Sequence, residues 1–172
     1  MPTFTTTRDD HLIAWLTALA VTIHIAESAL PSPVPGIKPG LANVVTIAVL
    51  VRYGWRMAVW VTLLRVLVSS LLLGSFLSPT FMLSLSGALC SALVLALAYI
   101  AAQRLPGAGL SALGYSVLAA LAHMAGQFAV AYALFIPHPA LLYLLPVLMS
   151  AAVIFGVVSG IIAQTMLLRR QP

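Results

Sequence analysis

Six apolar stretches alternate with short polar breaks along the chain, at 12–30, 41–51, 57–77, 80–102, 110–136 and 140–167. The breaks read PSPVPGIKPG, RYGWR, GSFLSP, QRLPGAG and IPHP. They are built from proline, glycine and charge, which end helices or turn the chain. A helix rises about 1.5 Å per residue, so about 20 apolar residues cross the hydrocarbon core of a bilayer. The second stretch has only eleven residues before Arg52. Even extended to residue 54 by Tyr53 and Gly54, it is too short to cross alone as a straight helix. The pattern predicts an all-α, polytopic bundle of six transmembrane helices forming a single transmembrane domain over 1–172.

Composition fixes the medium. Of 172 residues, 62% are hydrophobic and 6% charged, a balance that belongs to a membrane-embedded chain and not to a small soluble domain. The net charge of +5 would suit nucleic acid, but the bases flank the apolar stretches, so no nucleic-acid partner is expected. With six spans both termini lie on one side. On that side stand Arg8, Arg52, Arg56, Arg104, Arg169 and Arg170; the other side has only Lys38, and Arg65 is inside a span. The positive-inside rule then places both termini, with a tail of residues 1–11, in the cytoplasm of a bacterial inner membrane. The first stretch reads as a mature span and not a signal peptide, because its leading tail carries two aspartates and the run itself holds His24 and Glu27. The single cysteine, Cys90, reads as a small packed residue.

Ionisable and amide side chains inside a bilayer mark polar sites. His24 and Glu27, three apart, share one face near the outer end of the first span. Asn43 opens the second. Arg65 lies nine residues from both Arg56 and Gly74, about 14 Å from either end of its helix. His123 and Gln127 share a face of the fifth span. One reading has these residues lining a cavity open to the outer side, with Glu27 and Arg65 pairing or each meeting a charge of a ligand. The other has Glu27 and Arg65 as a buried ion pair that fixes the packing of spans one and three. PGIKPG has no regular helical route into the membrane, and reads as an outer loop over or partly within the cavity that presents Lys38 and Asn43. Among small-residue spacings, only GVVSG in the last span is a fair helix-contact candidate; Gly87 with Ser91 is a pairing that arises by chance in so alanine-rich a chain.

Other chemistries lack their residues. Magnesium aspartate clusters, Walker loops and paired acid and base carboxylates have no counterpart here. No catalytic residues, metal ligands or cofactors are expected, and the chain is not expected to be an enzyme.

The succession HIAESALPSPVPGIKPGLANVVTIAVL, LLRVLVSSLLLGSFLS, SLSGALCSAL, AHMAGQFAVAYAL and YLLPVLMSAAVIFGVVSGIIA resembles the Gx transporter family, also labelled heptaprenyl diphosphate synthase component I. The likeness covers about residues 12–165. That family is thought to resemble the substrate-binding S components of energy-coupling factor importers. The resemblance implies an outward-facing site near the first outer loop that captures a small polar or anionic molecule. It also implies a coupling transmembrane protein with ATPases as partner, besides the lipid bilayer and the small-molecule substrate. Carried over by motif, the substrate-binding positions are Glu27, Lys38, Asn43, Arg65, His123 and Gln127. The alternative is an accessory membrane subunit of heptaprenyl diphosphate synthesis or of a membrane redox assembly. The synthase label lacks support in the residues, since a prenyl transferase needs carboxylates to hold magnesium diphosphate.

Overall fold

The computed structural model describes residues 7–29, 41–105 and 109–169. They form six α-helices: α1 (Arg8–Ala29), α2 (Leu41–Tyr53), α3 (Trp55–Leu72), α4 (Pro79–Arg104), α5 (Ala112–Val130) and α6 (Leu145–Leu168). Lys38 and the proline-rich loop before α2 lie outside the described residues, as does Arg170.

The helix ends follow local chemistry. Thr7 and Asp10 form a reciprocal cap: the Thr7 N–H and Oγ1–H both donate to Asp10 Oδ2 at 2.8 Å, and Asp10 N–H donates to Thr7 Oγ1 at 3.3 Å. This cap starts α1 at Arg8, so residues 8–11 of the expected tail are already helical. Gly54 alone joins α2 to α3, at φ 90° and ψ 175°, a backbone region that essentially only glycine occupies. The third span ends at Leu72, five residues before the expected 77, because Gly74 (φ 65°) and Leu77 (φ 61°) turn the chain through left-handed conformations. Ser78 then accepts from the Phe81 N–H and Pro79 occupies the first turn of α4. After Val130 the fifth helix widens into a π-helical turn over Ala131–Phe135. A 3₁₀ turn over Pro139–Leu144 precedes α6, which begins at Leu145 and not at the expected 140. Pro146 sets that start: it has no N–H to offer and is tolerated only in a first turn.

Short connections make successive helices antiparallel, so exposed Arg8, Arg52, Arg56, Arg104 and Arg169 gather at the end of the bundle where both termini lie. Helix α5 packs along α4 and α6, while α3 packs between α1 and α4. The short α2 touches α1, α3, α5 and α6. It is buried on nearly every face, through Ala42, Val44, Val45, Thr46, Ile47, Val49 and Leu50. A chain apolar on all sides belongs at the centre of a bundle, and at 13 residues α2 is about 20 Å long, short of a full crossing. The other five helices are long and apolar enough to cross a membrane.

Polarity is inverted relative to a soluble bundle. Leu71, Leu93, Leu97, Ile154 and Ile161 are exposed on the outside, whereas Glu27, Arg65, Thr46, Thr62, Ser69, Ser116 and Ser159 are buried. Thr46 and Thr62 join α2 to α3 through a buried hydroxyl pair at 3.3 Å. Such a surface is stable only against lipid, so the chain is a multi-pass membrane protein embedded in a bilayer.

Small residues set how closely the helices approach. A Cβ added at Gly160 would come within 2.8 Å of Leu113 Cα, and one at Gly156 within 3.0 Å of Val117 Cα. The GVVSG stretch is therefore the face α6 turns to α5. Gly126 does the same against α4, where an added Cβ would lie 2.7 Å from Cys90 Sγ and 2.8 Å from the Ser86 carbonyl oxygen. Cys90 is thus part of a helix contact.

Candidate functional site

A cavity of about 480 Å³ extends from the end of the bundle away from the termini past its middle. It runs from Ser75 and Leu144 at the loop end to Ser116 and Ser159. Ser159 stands about 20 Å along α6 from that helix's start. Five of the six expected substrate-binding positions line it: Glu27 from α1, Asn43 from the first turn of α2, Arg65 from α3, and His123 and Gln127 from α5. His24 joins them. The sixth, Lys38, lies outside the described residues.

Each side chain reaches the cavity because of where its helix places it. Glu27 and Arg65 are 4% and 6% exposed and couple electrostatically across the α1–α3 contact. They are not sealed against one another without space beside them, since both face the cavity. The buried Arg65 Nε has no hydrogen-bond partner among the described residues. Glu27, His24, Ser28 and Ser159 each make further polar interactions. His123 lies within electrostatic reach of Arg65, and its Nδ1 is buried without a partner among the described residues, as is Ser116 Oγ. Burying a polar atom unpaired is unfavourable by about 1–3 kcal/mol. All three atoms belong to residues that line the cavity but are themselves shielded from its open space, so they mark unpaired polarity within the wall.

Serines complete the wall. Ser69, Ser70, Ser84, Ser116 and Ser159 all face the cavity, and none was singled out in the sequence. Ser69 shows why: its Oγ donates to the Arg65 carbonyl oxygen at 2.6 Å, so a serine satisfies itself on its own helix and leaves no periodic signature. The rest of the lining includes apolar side chains, among them Phe81, Met124, Phe128, Leu148 and Phe155. Phe128 is held by Tyr132, whose ring stacks on it at 6.4 Å and 7° across the start of the π-helical turn.

Gly87 was discounted in the sequence as chance spacing, and the structure corrects this. It is the flat surface on which His123 and Gln127 rest: a Cβ there would fall 2.8 Å from His123 Cε1 and Nε2 and from Gln127 Cγ. We expect Gly87→Ala to push both side chains into the cavity. The thermal midpoint in detergent should fall modestly, by the equivalent of about 1–3 kcal/mol for an overpacked contact, while retention of any bound small molecule drops sharply. Unchanged retention would show that His123 and Gln127 are remote from what the cavity holds.

Among the described residues no group of three or more histidine, cysteine or acidic side chains is placed to hold a metal ion. The family model described as heptaprenyl diphosphate synthase component I matches residues 16–166, nearly the whole chain and all six helices. The chain belongs to that family. No significant match was found among curated proteins or among solved structures. As a member, the chain is a helical membrane protein whose matched region contains every described residue of the cavity wall.

Proposed function

We propose that this heptaprenyl diphosphate synthase component I family member is a membrane transport protein, an S-component-like subunit that captures a small polar or anionic molecule from the outer face of the inner membrane. The cavity carries this reading: a space of about 480 Å³ is lined by Glu27, Asn43, Arg65, His123 and Gln127 together with apolar side chains. Volumes of that order suit small-molecule sites, in which a few placed polar groups orient a ligand against apolar walls. The arginines at the terminal end of the bundle favour a cytoplasmic location for that end, which turns the cavity outward. Capture alone does no transport work, so a coupling transmembrane protein with ATPases is the partner this reading requires. The chain acts as a binder and not as an enzyme.

The test is recovery of a ligand. Protein purified from its native membrane in mild detergent is denatured, and the small molecules released are identified by mass spectrometry. The wild-type chain should release a compound that Arg65→Ala, inserted in the membrane at comparable level, does not retain. Equal recovery from both would remove the cavity from the assignment. The family description favours a second reading, an accessory membrane subunit of heptaprenyl diphosphate synthesis. Co-purification with a soluble prenyl transferase, in place of ATPase and coupling subunits, would select it.

A further inference from the structure

Polarity on the cavity wall is sorted by helix. Every described lining residue that α1 and α2 contribute is polar: His24, Glu27, Ser28 and Asn43. The half-buried lining residues of α6 are all apolar, Leu148, Ala151 and Phe155, and its one lining hydroxyl, Ser159, is only 2% exposed. These helices stand on different sides of the bundle, α1 packed on α3 and α6 on α5. Helix α5 divides between the two characters. His123 and Gln127 rest on Gly87 of α4. Met124 and Phe128 follow Val117 by seven and eleven residues, which puts them on its face of the helix. That is the face Gly156 of α6 packs against, so the two side chains continue the apolar strip of α6. Among the polar groups, two amides stand open. Asn43 and Gln127 are half-buried and have no hydrogen-bond partner among the described residues. Unlike Arg65 Nε and His123 Nδ1, they are not shielded from the space of the cavity. Each amide both donates and accepts.

Resting on the capture function proposed above, we infer that the captured molecule is amphipathic. Its compact hydrogen-bonding head meets the amides of Asn43 and Gln127, and its apolar body lies on Met124, Phe128, Leu148 and Phe155. A wholly polar molecule, such as a sugar or an inorganic ion, would give up hydration against those four side chains with nothing in return. A pure hydrocarbon would displace water from both amides and leave them unpaired, and it gains nothing by leaving lipid tails that are as apolar as the strip. Sorting of the wall thus narrows the class from small polar molecules to those with one apolar side.

Two amphipathic probes test this, each beside its head alone and its body alone: indole-3-acetamide with acetamide and 3-methylindole, and N-benzylurea with methylurea and toluene. Binding is measured by equilibrium dialysis against the full chain in nanodiscs, with uptake by empty nanodiscs subtracted. At least one amphipathic probe should bind at least about tenfold tighter than either of its parts, because only the whole molecule meets both walls. Gln127→Leu should bring that probe down to the level of its body alone, and Phe155→Asn down to the level of its head alone. Asn43→Leu and Leu148→Asn are the second variant on each side, and they keep the test decisive if one of the first pair fails to fold. None of the four changes a formal charge. Heads that bind the wild-type chain as tightly as the whole probes overturn the amphipathic assignment, as do bodies that bind as tightly and are indifferent to Gln127→Leu; the capture function stands in both cases. Failure of both amphipathic probes to bind above empty nanodiscs also overturns the assignment, and capture falls with it only if the native protein releases no compound.

Discussion

Glu27→Leu is expected to lose stability out of proportion to the size of the change, and Arg65→Met to restore most of it. The two side chains are almost fully buried and electrostatically coupled. Removing the carboxylate leaves the buried guanidinium without the counter-charge of Glu27. For a buried pair broken from one side the loss is typically about 3–5 kcal/mol, and an adjoining cavity with room for water places this case toward the lower end. The double variant removes both members of the pair and has apolar side chains of similar length, so it should recover much of the loss. The measurement is a double-mutant cycle of unfolding in mild detergent, which isolates the coupling between the two positions. Single losses that simply add would mean that Glu27 and Arg65 act independently. Binding separates structural from functional roles in the same proteins. The double variant should fold well and retain no ligand, whereas a purely structural pair would leave retention at the level of a well-folded cavity.

The membrane makes this part of the molecule readable from sequence. In a bilayer a polar side chain in a span must turn inward, so His24, Glu27, Asn43, Arg65, His123 and Gln127 could be assigned to one cavity without knowledge of which helices touch. Charge asymmetry among the breaks supported six helices for a similar reason, since the exposed arginines gather at one end of the bundle, and the length of α2 revealed a helix too short to cross. Other features carry no local mark. Ser116 and Ser159 look like any hydroxyl in an alanine-rich helix. Gly87 matters through a partner on another helix, His123, and not through a residue four positions away, so a search along one helix passes over it. The helix starts missed by several residues, at Arg8 and Leu145, depended on a Thr7–Asp10 cap and on Pro146. Those are local signals that a hydropathy pattern does not weigh. The π-helical turn after Val130 had no sequence signal at all.

Gly160 ties the packing of the bundle to the floor of its cavity, and substitutions there should have the second large effect. An added Cβ would meet Leu113 Cα at 2.8 Å, the Leu113 carbonyl oxygen at 3.3 Å and Ser116 Cβ at 3.1 Å. Two of those atoms belong to the α5 backbone, so no rotamer change relieves the clash, and α6 must move away from α5. Gly160→Ala should therefore lower stability by about 1–3 kcal/mol, the usual penalty of overpacking a tight contact. Gly160→Leu should fail to yield monodisperse protein in detergent. The displacement also has a direction. Ser116 and Ser159, neighbours of this contact in space and in sequence, both line the deep end of the cavity. Parting α5 from α6 moves the wall that carries them, so the alanine variant should lose ligand retention at temperatures where it is still folded. A control at Ala163, also fully buried in α6 but not a lining residue of the cavity, separates the two consequences. Ala163→Val should overpack the helix contact and lower the thermal midpoint while retention below that midpoint persists. If Gly160→Ala matched the natural chain in both midpoint and retention, the close α5–α6 approach would not be what shapes the cavity floor.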